Sequence, residues 1–283
     1  MADDKPPQDD DVEELKAADA TDLHRTVVEE GERELNRPAA SLFWSGLAAG
    51  MAINASLIAE GALRLHLPES AWRELVVGLG YPVGFLLVIL GRMQFFTEST
   101  VTAMLPLVEK PSRWAAWRTL RLWGIVLGAN LLGTAIAALT ISSDWIGHPE
   151  LSESMLAIPR GVAELSAGET FVNAIPAGFL IAVMAWLLPN AREQSVLPIF
   201  VVTYVVGVAG FSHSIVGSDE AFLLLWEGEA GLGPVLFQMI LPAVAGNLLG
   251  GAGIFALLAH GQVKGEIGGV DEEEEEGATS TER

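Results

Sequence analysis

No cysteine occurs anywhere in the sequence, which excludes disulfides and thiolate metal sites and leaves the redox compartment open. Lysine is nearly as scarce, with Lys5, Lys16, Lys110 and Lys264 as the whole set. Against 16 Lys and Arg stand 36 Asp and Glu, a formal charge of −20. The acidic excess is crowded into Met1–Asn36 and the tail from Gly261, including the run Asp271–Glu276. Such ends repel nucleic acid and anionic lipid, so no nucleic-acid partner is expected. They read as solvated tails, in a halophile-like composition whose carboxylates stay hydrated at high ionic strength. The N-terminus lacks a positive n-region and an early apolar core, so no cleaved signal peptide is expected. Metal-ligand spacing is missing too: His24, His66, His148 and His260 are scattered over loops and ends, and neither a metal nor a cofactor is expected. Gly210-Phe211-Ser212-His213-Ser214 has no closing glycine, so it makes no nucleophile elbow, and the chain does not read as an enzyme.

What the sequence has in abundance is long apolar runs: 51% of its 283 residues are hydrophobic, and mean hydropathy is +0.39. Six segments stand out, at about Leu42–Leu63, Leu75–Leu107, Leu120–Ile141, Phe171–Leu188, Val196–Trp226 and Leu236–Leu258. A helix needs about 20 residues to cross a hydrocarbon core of about 30 Å. The second and fifth segments exceed that length and carry polar interiors: Arg92, Gln94, Thr97, Glu98 and Ser99 in one, Ser212, His213 and Ser214 in the other. Tilt absorbs surplus length but does not account for polar groups at mid-depth, so these two spans are predicted to be broken helices.

The halves repeat. Asn130-Leu131-Leu132-Gly133 recurs as Asn247-Leu248-Leu249-Gly250 at an offset of 117, and Phe96-Thr97-Glu98-Ser99 aligns with Phe211-Ser212-His213-Ser214 at 115. Three spans per unit is an odd number, so the second unit enters the membrane from the opposite side: an all-α, 3+3 inverted repeat. The predicted organisation is an acidic N-terminal tail at 1–38, a transmembrane domain at 39–260 with repeats at about 40–142 and 168–260, and an acidic disordered tail at 261–283. Basic residues flanking the spans are concentrated on the side of both termini (among them Arg25, Arg33, Arg37, Lys110, Arg113, Arg192 and Lys264), with only Arg64, Arg73 and Arg160 opposite. That bias places both termini in the cytoplasm of a multi-pass cell-membrane protein.

Unpaired backbone cannot face lipid, so matched breaks must meet around a pathway near the bilayer centre. Free amides and half-helix N-termini there favour an anion. Phe95, Phe96 and Phe211 supply bulk for a dry constriction beside small hydroxyls, and His213 is the one histidine within a predicted span. Arg92 and Glu98 flank the first break and are expected to form a structural ion pair or a backbone cap there. Glu60 is given no role. Gly128, Gly133, Gly246, Gly250 and Gly251 are expected to let helices approach closely.

Gly210-Phe211-Ser212-His213-Ser214-Ile215 resembles the histidine-containing fifth-span loop of the formate/nitrite transporter family. Gly91–Thr100 resembles that family's looped second span and Asn247–Gly251 its sixth; the resemblance covers about Ala40–His260. It departs at Ser212, where the family has Glu, at Gln94 and Phe95, and in lacking lysine between Lys110 and Lys264. The resemblance implies an aquaporin-like protomer in a homopentamer with one pore per protomer. The substrates it implies are formate, nitrite or similar small monovalent anions, passing as the anion or as the protonated acid. By the same resemblance His213 would be the central proton or hydrogen-bond donor, with Phe95, Phe96 and Thr97 shaping one constriction and Phe211 near the other. Ser212 and Asn247 would be pore-side polar groups. Two other readings share parts of the pattern. One is an aquaporin-type pore for neutral solutes, against which the missing twin Asn-Pro-Ala counts; the other is a non-transporting membrane scaffold with partner-recruiting tails.

Overall fold

The computed structural model of the chain describes residues 19–143, 147–191 and 194–265, so Asp271–Glu276 and Arg192 lie outside the described residues. The first helix, α1 (Ala20–Leu35), corrects the expectation of a solvated tail up to residue 38. The Asp19 carboxylate caps it by accepting from the Asp22 N–H at 2.8 Å. Leu23, Val27, Val28 and Leu35 are buried along one face. Gly31 lets this helix press on its neighbour: a Cβ there would lie 2.0 Å from the Thr102 carbonyl oxygen.

The first span is α2 (Ala39–Ala52) and α3 (Ala55–His66), joined by a turn at Ile53–Asn54 that the sequence did not announce. The second is α4 (Arg73–Leu90) followed by the half-helix α5 (Phe96–Glu109). The third is α6 (Arg113–Ser142), capped by Ser112 accepting from the Ala115 N–H at 3.0 Å. After α7 (Pro149–Val162) come the fourth span, α8 (Ala167–Ala191), and the fifth, split into α9 (Val196–Val208) and α10 (Ser214–Trp226). The sixth is α11 (Leu232–Gly265), in which Val235–Ile240 and Leu249–Phe255 are π-helical.

Among the described residues five helical runs are long and apolar enough to cross a membrane, namely α2 with α3, α4, α6, α8 and α11, and α9 is not. At 1.5 Å per residue the 13 residues of α9 reach about 20 Å. The fifth span therefore crosses only by adding α10 beyond its break. Both predicted interruptions are present, in the second and fifth spans, giving the six-span aquaporin-like inverted repeat.

The two halves match closely. The α2 backbone at Gly50 would place a Cβ 2.2 Å from the Asn130 carbonyl oxygen, and α8 at Gly178 would place one 2.3 Å from that of Asn247. Gly133, Gly246, Gly250 and Gly251 are also close-approach positions, whereas a Cβ at Gly128 meets nothing within 4 Å. Each half also carries an amphipathic helix ahead of its spans. Just as α1 packs on half-helix α5, α7 packs on α3 and half-helix α10. Met155, Leu156 and Pro159 are its buried face, and the Ser154 hydroxyl donates to the Gly61 carbonyl at 2.9 Å. The repeat is thus four elements, not three.

Candidate functional site

Both breaks are built the same way. In the first, α4 ends as the Met93 N–H reaches the Val88 carbonyl and the Arg92 N–H the Ile89 carbonyl, each at 3.0 Å. In the second, Phe211 N–H reaches Val206 at 3.1 Å and Gly210 N–H reaches Gly207 at 3.0 Å. Each carries one left-handed residue, Arg92 at φ 53° and Gly210 at φ 66°. An extended stretch follows, and a new helix starts after Phe95 or after His213. The structural offset is therefore 118, not the 115 suggested by matching Phe96 to Phe211; Phe95 is the counterpart of His213, and Phe96 of Ser214.

A buried asparagine clamps each break. The Asn130 side chain accepts from the Phe96 N–H at 2.9 Å and donates to the carbonyls of Gly46 at 2.8 Å and Gln94 at 3.0 Å. Asn247 accepts from the Ser214 N–H at 2.8 Å and donates to Ala174 at 2.8 Å and Ser212 at 3.1 Å. Asn247 is thus a clamp on the break, with its side-chain amide spent on backbone. Its twin Asn130 was in plain view in the repeated Asn-Leu-Leu-Gly and was not singled out.

His213 caps α10. Its Nδ1 accepts from the Ile215 and Val216 N–H groups at 3.3 Å each. A ring nitrogen that accepts carries no proton, so Nε2 bears the hydrogen and donates to the Thr97 hydroxyl at 3.0 Å. The imidazole stacks on Phe95, centroids 5.5 Å apart and planes within 11°, with the edge of Phe85 at 5.1 Å. Phe85, Phe95 and His213 form an aromatic trio across the meeting point of the half-helices. Phe85, in the middle of the apolar α4, had no signal in the sequence. Phe96 is buried in the core and Phe211 is half-buried; neither ring contacts the imidazole among the described residues. The Ser212 and Ser214 hydroxyls flanking His213 are buried without a partner among the described residues.

The half-helix N-termini differ in one respect. At α10 the first four N–H groups are taken, by Asn247, twice by Nδ1 of His213, and by the His213 carbonyl from Gly217. At α5 only Phe96 and Ser99 are taken, so the Thr97 and Glu98 amides have no acceptor among the described residues.

A cavity of about 990 Å³ lies between α1 and the first break and reaches down to Phe95. Glu30, Arg33, Glu34, Arg37, Arg92 and Glu98 bring its charges, three of each sign. Arg92 and Glu98 do not pair with each other. Arg92 is exposed and reaches Glu30 of α1 at 3.7 Å, and Arg37 pairs with Glu34 at 3.1 Å. The expected ion pair at the break is instead a tie between the break and α1.

A family model described as Formate/nitrite transporter matches residues 21–261. The inner membrane protein YfdC of Escherichia coli strain K12 is 38% identical over 245 residues, covering 87% of this chain and 79% of that protein. A solved structure described as a pentameric formate channel with formate bound superposes with a TM-score of 0.69 at 19% identity, over 80% of this chain and 97% of that one. Another, an FNT family ion channel, gives 0.73 at 20% identity, over 84% and 97%.

Proposed function

The chain belongs to the formate/nitrite transporter family, a family of membrane transporters and channels rather than enzymes, and from that premise we propose that it conducts small monovalent anions such as formate or nitrite past Thr97 and His213. The observation that carries this reading is the His213–Thr97 pair. Because Nε2–H donates to the Thr97 oxygen, the hydroxyl proton of Thr97 is free to turn toward an anion. The unpaired Thr97 and Glu98 amides open the positive end of α5 to the same place. The cavity above, where Arg33, Arg37 and Arg92 offset Glu30, Glu34 and Glu98, opens onto Phe95, whose ring must swing off His213 for passage.

Of the two roles considered for His213, this geometry favours hydrogen-bond donor over proton donor. A proton on Nδ1 would set its N–H against those of Ile215 and Val216 and undo the cap of α10. We further propose that both ends of the chain face the cytoplasm, as the clustering of Arg and Lys near α1 and the end of α11 supports. A homopentamer is the assembly proposed, on the likeness to a channel described as pentameric.

Purified protein in liposomes tests the reading with a panel of formate, nitrite and larger monocarboxylates beside glycerol. Saturable or conductive anion flux that His213→Ala changes, with assembly intact, is the expected result. Swelling in glycerol without anion flux would make it a neutral-solute pore, and no flux of any solute a scaffold.

A further inference from the structure

With His213 committed to capping, any proton that accompanies the anion needs another carrier at depth. Three carboxyls sit in the half of the molecule opposite the charged cavity, and the conduction pathway just described uses none of them. Asp219 and Glu220 lie in α10, five and six residues past its start, and Glu60 lies in α3. Their residues are 1%, 6% and 7% exposed. No Arg, Lys or His pairs with any of the three among the described residues. Oδ1 of Asp219 and Oε2 of Glu60 are buried with no hydrogen-bond partner among the described residues.

Helix α7 packs on both α3 and α10, so the three carboxyls line one wall of the molecule. The Asn54 side chain, at the turn that begins α3, donates to Oδ2 of Asp219 at 2.7 Å. Glu60 is six residues farther along, about 9 Å toward the membrane surface at helical rise. Glu220 lies within electrostatic reach of both Asp219 and Glu60. Beyond Glu60 stands Glu74, exposed and paired with Arg64 at 2.6 Å. Other ionisable groups on this side include Tyr81 of α4, within reach of Glu60 and Glu220; Arg73, paired with Glu69; Glu153 of α7 with Glu229, both bound to Arg160; and His66, His148, Glu150, Glu164, Glu169 and Glu227 near the helix ends. α6 and α11 bring no charge to this side, their Arg and Lys being at the other end.

The fold does not require these carboxyls. At the half-helix offset of 118 the positions matching Asp219 and Glu220 are Val101 and Thr102. At the first-span offset of 128, by which Gly50 matches Gly178, those matching Asn54 and Glu60 are Ala182 and Leu188. One half of the molecule thus packs the same framework with no carboxyl at these positions. Three like charges in a low-dielectric wall cannot all persist, so the three carboxyls hold either protons or a cation. No three acidic or histidine side chains converge on a metal-sized site among the described residues, which favours protons.

We propose that Glu60, Glu220 and Asp219 form a proton-binding relay that loads from the face bearing Glu74 and Arg64 and makes anion passage depend on the pH of that face. The inference deepens the transport reading and rests on it for its consequence, though not for its chemistry. A proton from water converts carboxylate to carboxylic acid at Glu60 and hops inward through Glu220 to Asp219. There it is about 9 Å, six residues of helix, from His213.

Infrared spectroscopy of the full chain in lipid tests the chemistry directly. At neutral pH the protein should show protonated-carboxyl bands shifted by deuterium oxide, and Glu60→Gln, Glu220→Gln and Asp219→Asn should each remove one component. In liposomes the same variants should lose most of the dependence of anion flux on pH at that face while keeping flux at equal pH. Should Asp219→Asn fail to assemble, Asn54→Asp combined with Asp219→Asn retains the buried pair with its acid exchanged and should restore the band. Wild-type spectra without such bands, or flux that follows sodium rather than pH, would overturn the relay. Bands present in a protein that moves no anion would uphold the proton site and defeat the transport reading instead.

Discussion

Replacing Asn247 by alanine separates a clamp from a pore-lining group. The substitution removes an acceptor for the Ser214 N–H and a donor to the Ala174 and Ser212 carbonyls, all at membrane depth where no water replaces them. Each buried polar group left unpaired costs about 1–3 kcal/mol, so the three together cost about 3–9 kcal/mol. Net stabilities run to about 5–15 kcal/mol, which makes this the loss of a large share of the whole. Asn247→Asp should do no better, because a carboxylate oxygen would then face both carbonyls. The assay is thermal stability by size-exclusion chromatography in detergent, run beside Asn130→Ala, whose clamp has the same three bonds. Both variants should lose most of the assembled species at temperatures the parent survives. An Asn247→Ala protein with the parent's melting profile and altered anion flux would refute the clamp and return Asn247 to the pore wall.

Two further outcomes follow from the same structure. Arg92 holds a left-handed φ of 53°, which costs a non-glycine residue about 1–2 kcal/mol, while its exposed pair with Glu30 returns about 0–1 kcal/mol. Arg92→Gly should therefore leave the melting temperature unchanged or raise it, and a clear drop in the melting curve would show that the tie to α1 dominates. His24, buried on the face of α1 that lies outside the bilayer, has its basicity lowered first by burial and then by His260, with Glu109 opposing. A base held neutral in the folded state means that the unfolded state binds more protons, so stability rises with pH and is lost as pH falls below the ordinary histidine value of about 6.5. Protection of α1 against hydrogen exchange, taken relative to the intrinsic exchange rate at each pH, should fall as the pH drops through that range, and His24→Gln should flatten the response; an α1 equally protected at both ends of the range would contradict it.

The broken spans were legible because polar residues inside an over-long apolar run have one physical resolution in a membrane, and His213 stood out for the same reason. The register of the repeat was not. Identity of Phe96 with Phe211 suggested one alignment, whereas the backbone pairs Phe95 with His213, and only the hydrogen-bonded turn geometry reveals which residue starts each half-helix. α1 was hidden because Leu23, Val27, Val28 and Leu35 are interleaved with carboxylates that make the segment acidic on average while one face is apolar. Glu60 sits near the end of its span, and Asp219 and Glu220 lie beyond the break, where the sequence pattern gives them no role. A carboxyl near a span end is ordinary until tertiary packing shows it buried without a cation. Phe85 is one apolar residue among many in α4 until its ring edge meets the imidazole.

At the centre of the proposed pathway is a hydroxyl oriented by His213 Nε2–H toward the passing anion, and anion influx into liposomes carrying Thr97→Val measures it. The substitution keeps the side chain's shape and leaves the cap of α10 by Nδ1 untouched. A hydrogen bond to a charged group is worth about 1.5–3 kcal/mol, so influx should fall about tenfold or more in a protein that assembles as the parent does. Influx at the parent's rate would mean that the anion passes without meeting Thr97.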